Sequence, residues 1–315
     1  MENLSPKVCI VGCGNVGMRY AYSMIISGVA REMVLVDYNK DKAEGEAMDL
    51  SHGASFVSPI KIYAGDYPDT ANSDLVVITA GRGQKPGQTR IDLIKGNAEI
   101  FKTIVPEIVK YSPSAIILIA TNPVDILSYI TYKISGKPSK EVIGSGTVLD
   151  TARLRYLIGE ELNLDSRNIH ASIFGEHGDS EFAVWSKLVV GDMFFTDYFK
   201  ECNKDINDTK LKRIFEDVRE SAYKIIDKKG ETSYGIGLAL TKISKAILKN
   251  QNSVLPVSSL LEGYYGISDI YLSVPAIVHR QGVRQIMKLD FDKQELEALK
   301  SSASKIKEVI KASGF

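Results

Sequence analysis

Cysteine is scarce in this 315-residue chain, with only Cys9, Cys13 and Cys202 and no Cys-x2-Cys spacing among them. An odd count without paired spacing argues against a disulfide framework or a zinc site, so no metal is expected and a reducing cytoplasm suits the chain. Cys9 and Cys13 fall in an apolar strand-and-turn segment, where a thiol packs as a small hydrophobe. Long apolar runs are missing too. None approaches the ~20 residues a spanning helix needs, and residues 1–7 hold no signal-peptide core. Net charge is absent, because 39 Lys and Arg balance 39 Asp and Glu. That balance removes any sequence-independent pull toward nucleic acid or an anionic membrane. No internal repeat or low-complexity tract is present.

What remains is an ordinary globular composition, 44% hydrophobic and 25% charged, in a chain long enough for two lobes. Short β-branched runs at 7–11, 33–37, 61–64, 74–79, 115–121 and 141–144 read as strands. Between them lie stretches of helical period, clearest in Ile91, Ile94, Phe101, Ile104, Val105 and Ile108. Alternating strands and helices imply βαβ units and a parallel sheet covered on both faces. Beyond about residue 147 the texture changes. Helices are expected at about 149–161, 205–227 and 232–250, with strand-like segments near 168–174 and 183–190. Three apolar runs at 253–260, 266–273 and 275–279 suggest an antiparallel sheet, and a last helix carries Leu296, Leu299, Ala303, Ile306 and Ile310. The fold class is therefore α/β, a Rossmann doubly wound sheet over 1–146 followed by an α+β lobe over 147–315.

Gly12-Cys13-Gly14-Asn15-Val16-Gly17 is a G-x-G-x-x-G directly after the first strand and at the opening of a helix. Gly12 permits the tight turn, Gly14 lets a pyrophosphate approach the backbone, and Gly17 lets helix and strand pack closely. The helix N-terminus then offers free N–H groups to phosphate. Asp37 ends the next strand, twenty positions after Gly17. A carboxylate there accepts hydrogen bonds from a ribose 2′-OH and repels a 2′-phosphate, which favours NAD over NADP. The plain alternative is a glycine turn and a surface acid.

Further along stand Thr79-Ala80-Gly81, Lys85-Pro86-Gly87-Gln88-Thr89-Arg90, Thr121-Asn122-Pro123, Gly144-Ser145-Gly146-Thr147 through Arg153, and Gly175-Glu176-His177-Gly178-Asp179. In that order these motifs, with the glycine turn, resemble the L-lactate/malate dehydrogenase family over nearly the whole chain. The resemblance implies NAD-dependent hydride transfer to a small 2-keto acid. It places Gly12, Gly14, Asn15, Val16, Gly17, Asp37, Thr79, Ala80, Gly81, Thr121 and Asn122 at the cofactor. His177 becomes the proton donor and acceptor, a role that suits imidazole because its ordinary pKa lies near neutrality. Asp150 would orient His177, and Arg153 would clamp the substrate carboxylate with its planar fork. Without the family, Asp150 and Arg153 read as an i,i+3 surface pair worth a few tenths of a kcal/mol. Arg90 would polarise the substrate carbonyl when a mobile lid at about 82–93 closes, and Asn122 would hydrogen-bond near the same oxygen.

Substrate choice turns on the lid. Malate dehydrogenases of this family carry an arginine just before Lys-Pro-Gly; here the residue is Gln84. A neutral side chain leaves the second carboxylate of oxaloacetate unpaired, whereas pyruvate offers only a methyl group, so pyruvate and L-lactate are the expected pair. Thr232 would complete the pocket wall, and Arg82 is the one residue that could serve a dicarboxylate if the register differed. Arg155, about 200° round the helix from Arg153, and His170 resemble the pair that binds fructose 1,6-bisphosphate across a subunit interface in activated bacterial members. A homotetramer with that effector is the corresponding expectation, set against a surface arginine and a structural strand histidine. Two rival functions stay open: a malate or other 2-keto acid dehydrogenase on the same scaffold, and a non-catalytic NAD-binding protein.

Overall fold

The computed structural model describes residues 5–83, 89–202 and 208–315, with side chains omitted at 202 and 208. Strand β1 (Lys7–Val11), helix α1 (Asn15–Ser27), β2 (Glu32–Val36), α2 (Lys40–His52) and β3 (Lys61–Ala64) form the first half of the parallel sheet. The second half is β4 (Leu75–Ile78), α3 (Arg90–Tyr111), β5 (Ile116–Ile119), α4 (Val124–Ser135) and β6 (Val142–Gly144). Their spatial order, β6-β5-β4-β1-β2-β3, is the doubly wound arrangement that reverses beside β1. The central strands are apolar throughout because helices cover both faces: Leu75–Ile78 and Ile116–Ile119 are all buried.

The rest of the chain supplies α5 (Val148–Leu162) and the short strands β7 (Ile169–His170), β8 (Ile173–Phe174), β9 (Phe182–Ala183), β10 (Val189–Val190) and β11 (Met193–Phe194). Helices α6 (Phe195–Cys202), α7 (Asp208–Lys229) and α8 (Tyr234–Leu248) follow. The chain closes with β12 (Ser253–Tyr264), β13 (Ile267–His279), β14 (Gly282–Ile286) and α9 (Lys293–Ser313). Two expectations need correction here. The runs at 266–273 and 275–279 are one strand: Pro275 sits opposite Pro256 in the β12–β13 register, a pairing that accommodates the missing N–H. The third strand is instead Gly282–Ile286.

The antiparallel strands also do not stand apart. β12 pairs with β6 at Ser258 and Gly144, so a single nine-stranded sheet runs through the molecule. Gly144 permits this approach, since a Cβ there would lie 2.5 Å from Ser128 Oγ and 2.8 Å from the Cβ of Ser258. In α3 the apolar stripe is buried except for Ile91, which is exposed in the first turn. That turn is fixed by a capping box between Thr89 and Asp92.

Candidate active site

The glycine turn is built by exclusion. Gly12 adopts φ +109°, and a Cβ on it would lie 2.4 Å from Ala80 N. A Cβ on Gly17 would lie 2.1 Å from Gly12 O, and Thr79 Oγ1 donates to that same oxygen at 2.7 Å. Gly14 behaves differently, for a Cβ there meets nothing within 4 Å. Gly14 caps α1 without a side-chain bond, and no acid lies in the first turn, where Asn15 and Val16 stand. The first N–H groups of α1 therefore face open space with positive partial charge, which suits a pyrophosphate. Asp37 follows β2 and accepts from Cys13 N–H at 2.6 Å and Asn39 N–H at 2.9 Å, which fixes the carboxylate beside the turn. These residues fit a dinucleotide.

Across the sheet, Ala80 O accepts from Thr121 Oγ1 at 2.8 Å, and Gly81 lets Thr121 approach, since a Cβ would lie 2.2 Å from Thr121 Cγ2. Asn97, fully buried in α3, had no signal in the sequence. Its amide accepts from Arg82 N at 2.8 Å and donates to Asn122 O at 3.0 Å, tying the segment after β4 to the end of β5. The Asn122–Pro123 peptide is cis.

Asp150 and Arg153 occupy the first turns of α5, where an acid is favoured by the helix dipole. Asp150 uses both oxygens: Oδ2 meets His177 Nδ1 at 2.6 Å, and Oδ1 accepts from Arg153 Nη1 at 2.8 Å. Burial opposes the charge of Asp150, but His177 and Arg153 outweigh it and hold the carboxyl below its usual range. For His177, burial pulls downward, yet Asp150 chiefly, with Glu181 and Asp125, raises the imidazole to about 9. The bond at Nδ1 leaves Nε2 as the nitrogen free for chemistry.

Three acids that sequence reasoning missed surround this pair. Asp125 in α4 accepts from His177 N at 2.8 Å and from Ser258 Oγ at 2.5 Å, pinning the histidine loop to β12. Glu176 is buried, pairs with Arg90 and accepts from Ser180 Oγ, while its N–H donates to Ser302 Oγ at 2.8 Å. Glu181 lies with Asp150 and His177 in a group whose polar atoms are all within 4.8 Å of one another. The sequence signal for these was position alone: Asp125 follows Pro123 by two residues, Glu181 follows Asp179 by two, and Glu176 stands within the histidine motif, which assigns it no role.

Arg90, first residue of α3, is thus carried to the residue next to His177. Thr232 is half-buried just before α8, whose Gly235 packs on Leu149, with a Cβ there 2.8 Å from Leu149 Cδ1. Arg82 is exposed, and Gln84 lies outside the described residues. Arg155 turns away from Arg153, and its Nε donates to Ala171 O at 2.9 Å, next to exposed His170. Burial pulls the guanidinium pKa of Arg155 below its ordinary value.

Residues 6–144 match the family model for "lactate/malate dehydrogenase, NAD binding domain", and residues 147–314 match "lactate/malate dehydrogenase, alpha/beta C-terminal domain". An L-lactate dehydrogenase of Acetivibrio thermocellus is 52% identical over 305 residues, covering 97% of this chain and 96% of that protein. One from Clostridium botulinum is 51% identical over 312 residues, 99% of this chain and 98% of that one. Among solved structures, the minor L-lactate dehydrogenase of Enterococcus mundtii superposes with TM-score 0.95 at 45% identity, covering 98% of this chain and 99% of that one. A lactate dehydrogenase from a Medee basin deep-sea metagenome library gives 0.94 at 47% identity, covering 99% of each chain.

Proposed function

Because the chain belongs to the lactate/malate dehydrogenase family, we propose that it is an NAD-dependent L-lactate dehydrogenase that interconverts pyruvate and L-lactate. The observation that carries this reading is the run Arg153–Asp150–His177, with each link a direct hydrogen bond. NADH, when bound along the glycine turn and Asp37, supplies the hydride. The chain supplies everything else. His177 holds a proton at Nε2 and delivers it to the carbonyl oxygen; in the reverse direction the same nitrogen accepts it. Asp150 keeps that imidazole oriented and stabilises its charged form, while Asp125 holds the backbone beneath it. Arg153 clamps the carboxylate through its planar fork, and Arg90 stabilises negative charge on the oxygen.

Gln84 and Thr232 shape the far wall. With no cation at Gln84, a second carboxylate would be desolvated unpaired at a cost of several kcal/mol, or orders of magnitude in rate. The 1–146 and 147–315 division follows the same labour: cofactor from the first part, carboxylate and proton from the second. Arg155 and His170 form the proposed fructose 1,6-bisphosphate contact of a homotetramer. The exposure of His170 beside the Arg155–Ala171 bond supports it. Among the described residues no helix is long and apolar enough to cross a membrane.

The test is NADH oxidation with pyruvate, with the product analysed for handedness. L-lactate is expected; no turnover of any 2-keto acid would favour a non-catalytic NAD-binding protein. Repeating the assay at low pyruvate with fructose 1,6-bisphosphate should raise the apparent affinity, and an unchanged value would remove the effector from the reading.

A further inference from the structure

Glu181 takes no part in the relay or the clamp, yet it is only 7% exposed and stands four residues past His177. Asp150, Asp125 and Glu176 each hold two polar partners through their carboxylates. The carboxylate of Glu181 has no hydrogen-bond donor among the described residues. The charged groups facing it are Asp150 and Arg153 from α5, His177 from its own loop and Arg219 from α7. Asp150 repels it, and the other three attract it.

The local charge count shows what this does to an incoming anion. With His177 protonated and Glu181 ionised, the enclosed groups His177 and Arg153 carry two positive charges against two negative ones on Asp150 and Glu181, while Arg219 is exposed and its charge is screened by solvent. One of Arg153's nitrogens is already spent on Asp150. A substrate carboxylate docking on Arg153 would leave the buried cluster one charge negative, at a place where uncompensated charge is expensive. A single proton on Glu181 restores neutrality.

We propose that Glu181 is a charge-balancing residue that takes up a proton from solvent when the substrate carboxylate docks on Arg153 and returns it when that carboxylate leaves. This rests on the keto-acid reading of the Arg153 site. Glu181 thereby couples substrate affinity to pH without touching the reacting atoms; it is a positioning residue in the electrostatic sense. Burial first, then Asp150, raises its carboxyl to about 8, so Glu181 already holds the proton near neutral pH and the uptake on docking emerges as pH rises through that value.

The experiment uses the NADH-loaded protein and oxamate, an unreactive anion with the shape of pyruvate. Calorimetry at pH 8.5 in two buffers of different ionisation enthalpy counts protons taken up on binding. The wild type should take up about three quarters of a proton more than Glu181→Gln, the share ionised half a pH unit above a midpoint of about 8. The wild-type oxamate Kd should also rise about tenfold per pH unit beyond that point, while Glu181→Gln holds its affinity until His177 begins to lose its proton near 9. If the variant does not fold, ¹³C-carboxyl NMR of glutamate-labelled wild type makes the same test. One buried carboxyl should move to its protonated position when oxamate is added at pH 8.5. Oxamate that binds with equal uptake in both proteins, or without that NMR shift, overturns the proposal alone. Oxamate that binds neither protein overturns the keto-acid reading and the proposal with it.

Discussion

Replacing Asp150 with asparagine removes one charge and keeps the side chain's shape. In the native site the His177 imidazolium is favoured to about 9 against an ordinary 6.5, worth about 3.5 kcal/mol at roughly 1.4 kcal/mol per tenfold. Asp150 is the largest favourable contributor to that rise, and burial the main opponent. Without the charge, burial is opposed only by the smaller pulls of Glu181 and Asp125, and the imidazole falls to about its ordinary value. At pH 8 the protonated fraction then drops from about nine tenths to about 3% or less, a loss of some 30-fold or more before any cost in orientation. The assay is kcat/KM for pyruvate across pH 5–10, followed by NADH absorbance, because this ratio reports the free enzyme's essential groups. Wild type should hold its reduction rate up to the region of 8 to 9 and decline above. Asp150→Asn should decline from below pH 7, with kcat/KM at pH 8 lowered about a hundredfold once orientation is included. An alkaline limb left where it was, with activity within threefold of wild type, would refute the pairing as the source of the histidine's basicity.

Other outcomes follow from the same geometry. Gly17→Ala must displace Gly12 O, 2.1 Å from the new Cβ, and should cost more than about 2 kcal/mol in denaturant unfolding. Gly14→Ala, with open space around it, should leave stability within about 0.5 kcal/mol and weaken NADH binding instead. Arg153→Lys loses the planar fork and should lower kcat/KM for pyruvate about a hundredfold, mostly by raising KM. Glu181 bears on stability with a defined sign. Its folded pKa, about 8, lies above an ordinary 4.5, so the native state loses stability as pH rises from 4.5 toward 8. Glu181→Gln should therefore unfold about 1–3 kcal/mol later than wild type at pH 8.5 and show little gain at pH 4.5. Equal pH dependence in urea melts would contradict the buried-acid reading.

Much of this was legible because short-range rules fix it. The strands of the parallel sheet, the glycine turn and Asp37 follow from local pattern, and Gly12, Gly17 and Gly81 turn out to be sites where any Cβ collides. The join between the two halves was not legible, since pairing of Gly144 with Ser258 is a contact between residues 114 positions apart. Pro275 misled the strand count because proline usually interrupts a ladder, and only its partner Pro256 explains why it does not here. In the site, the family resemblance carried His177, Asp150, Arg153 and Arg90, residues scattered over 88 positions that no periodicity links. Asn97, Asp125, Glu176 and Glu181 stayed silent because a buried polar residue on an apolar face shows its purpose only through its partners.

The substrate assignment rests on Gln84, which lies outside the described residues, so its decisive measurement is functional. Paired determinations of kcat/KM for pyruvate and for oxaloacetate, with NADH at one pH and ionic strength, test it. Pyruvate should be preferred by at least about a hundredfold, and Gln84→Arg should narrow or reverse that ratio. Equal or better turnover of oxaloacetate by the wild-type protein would contradict the lactate reading outright.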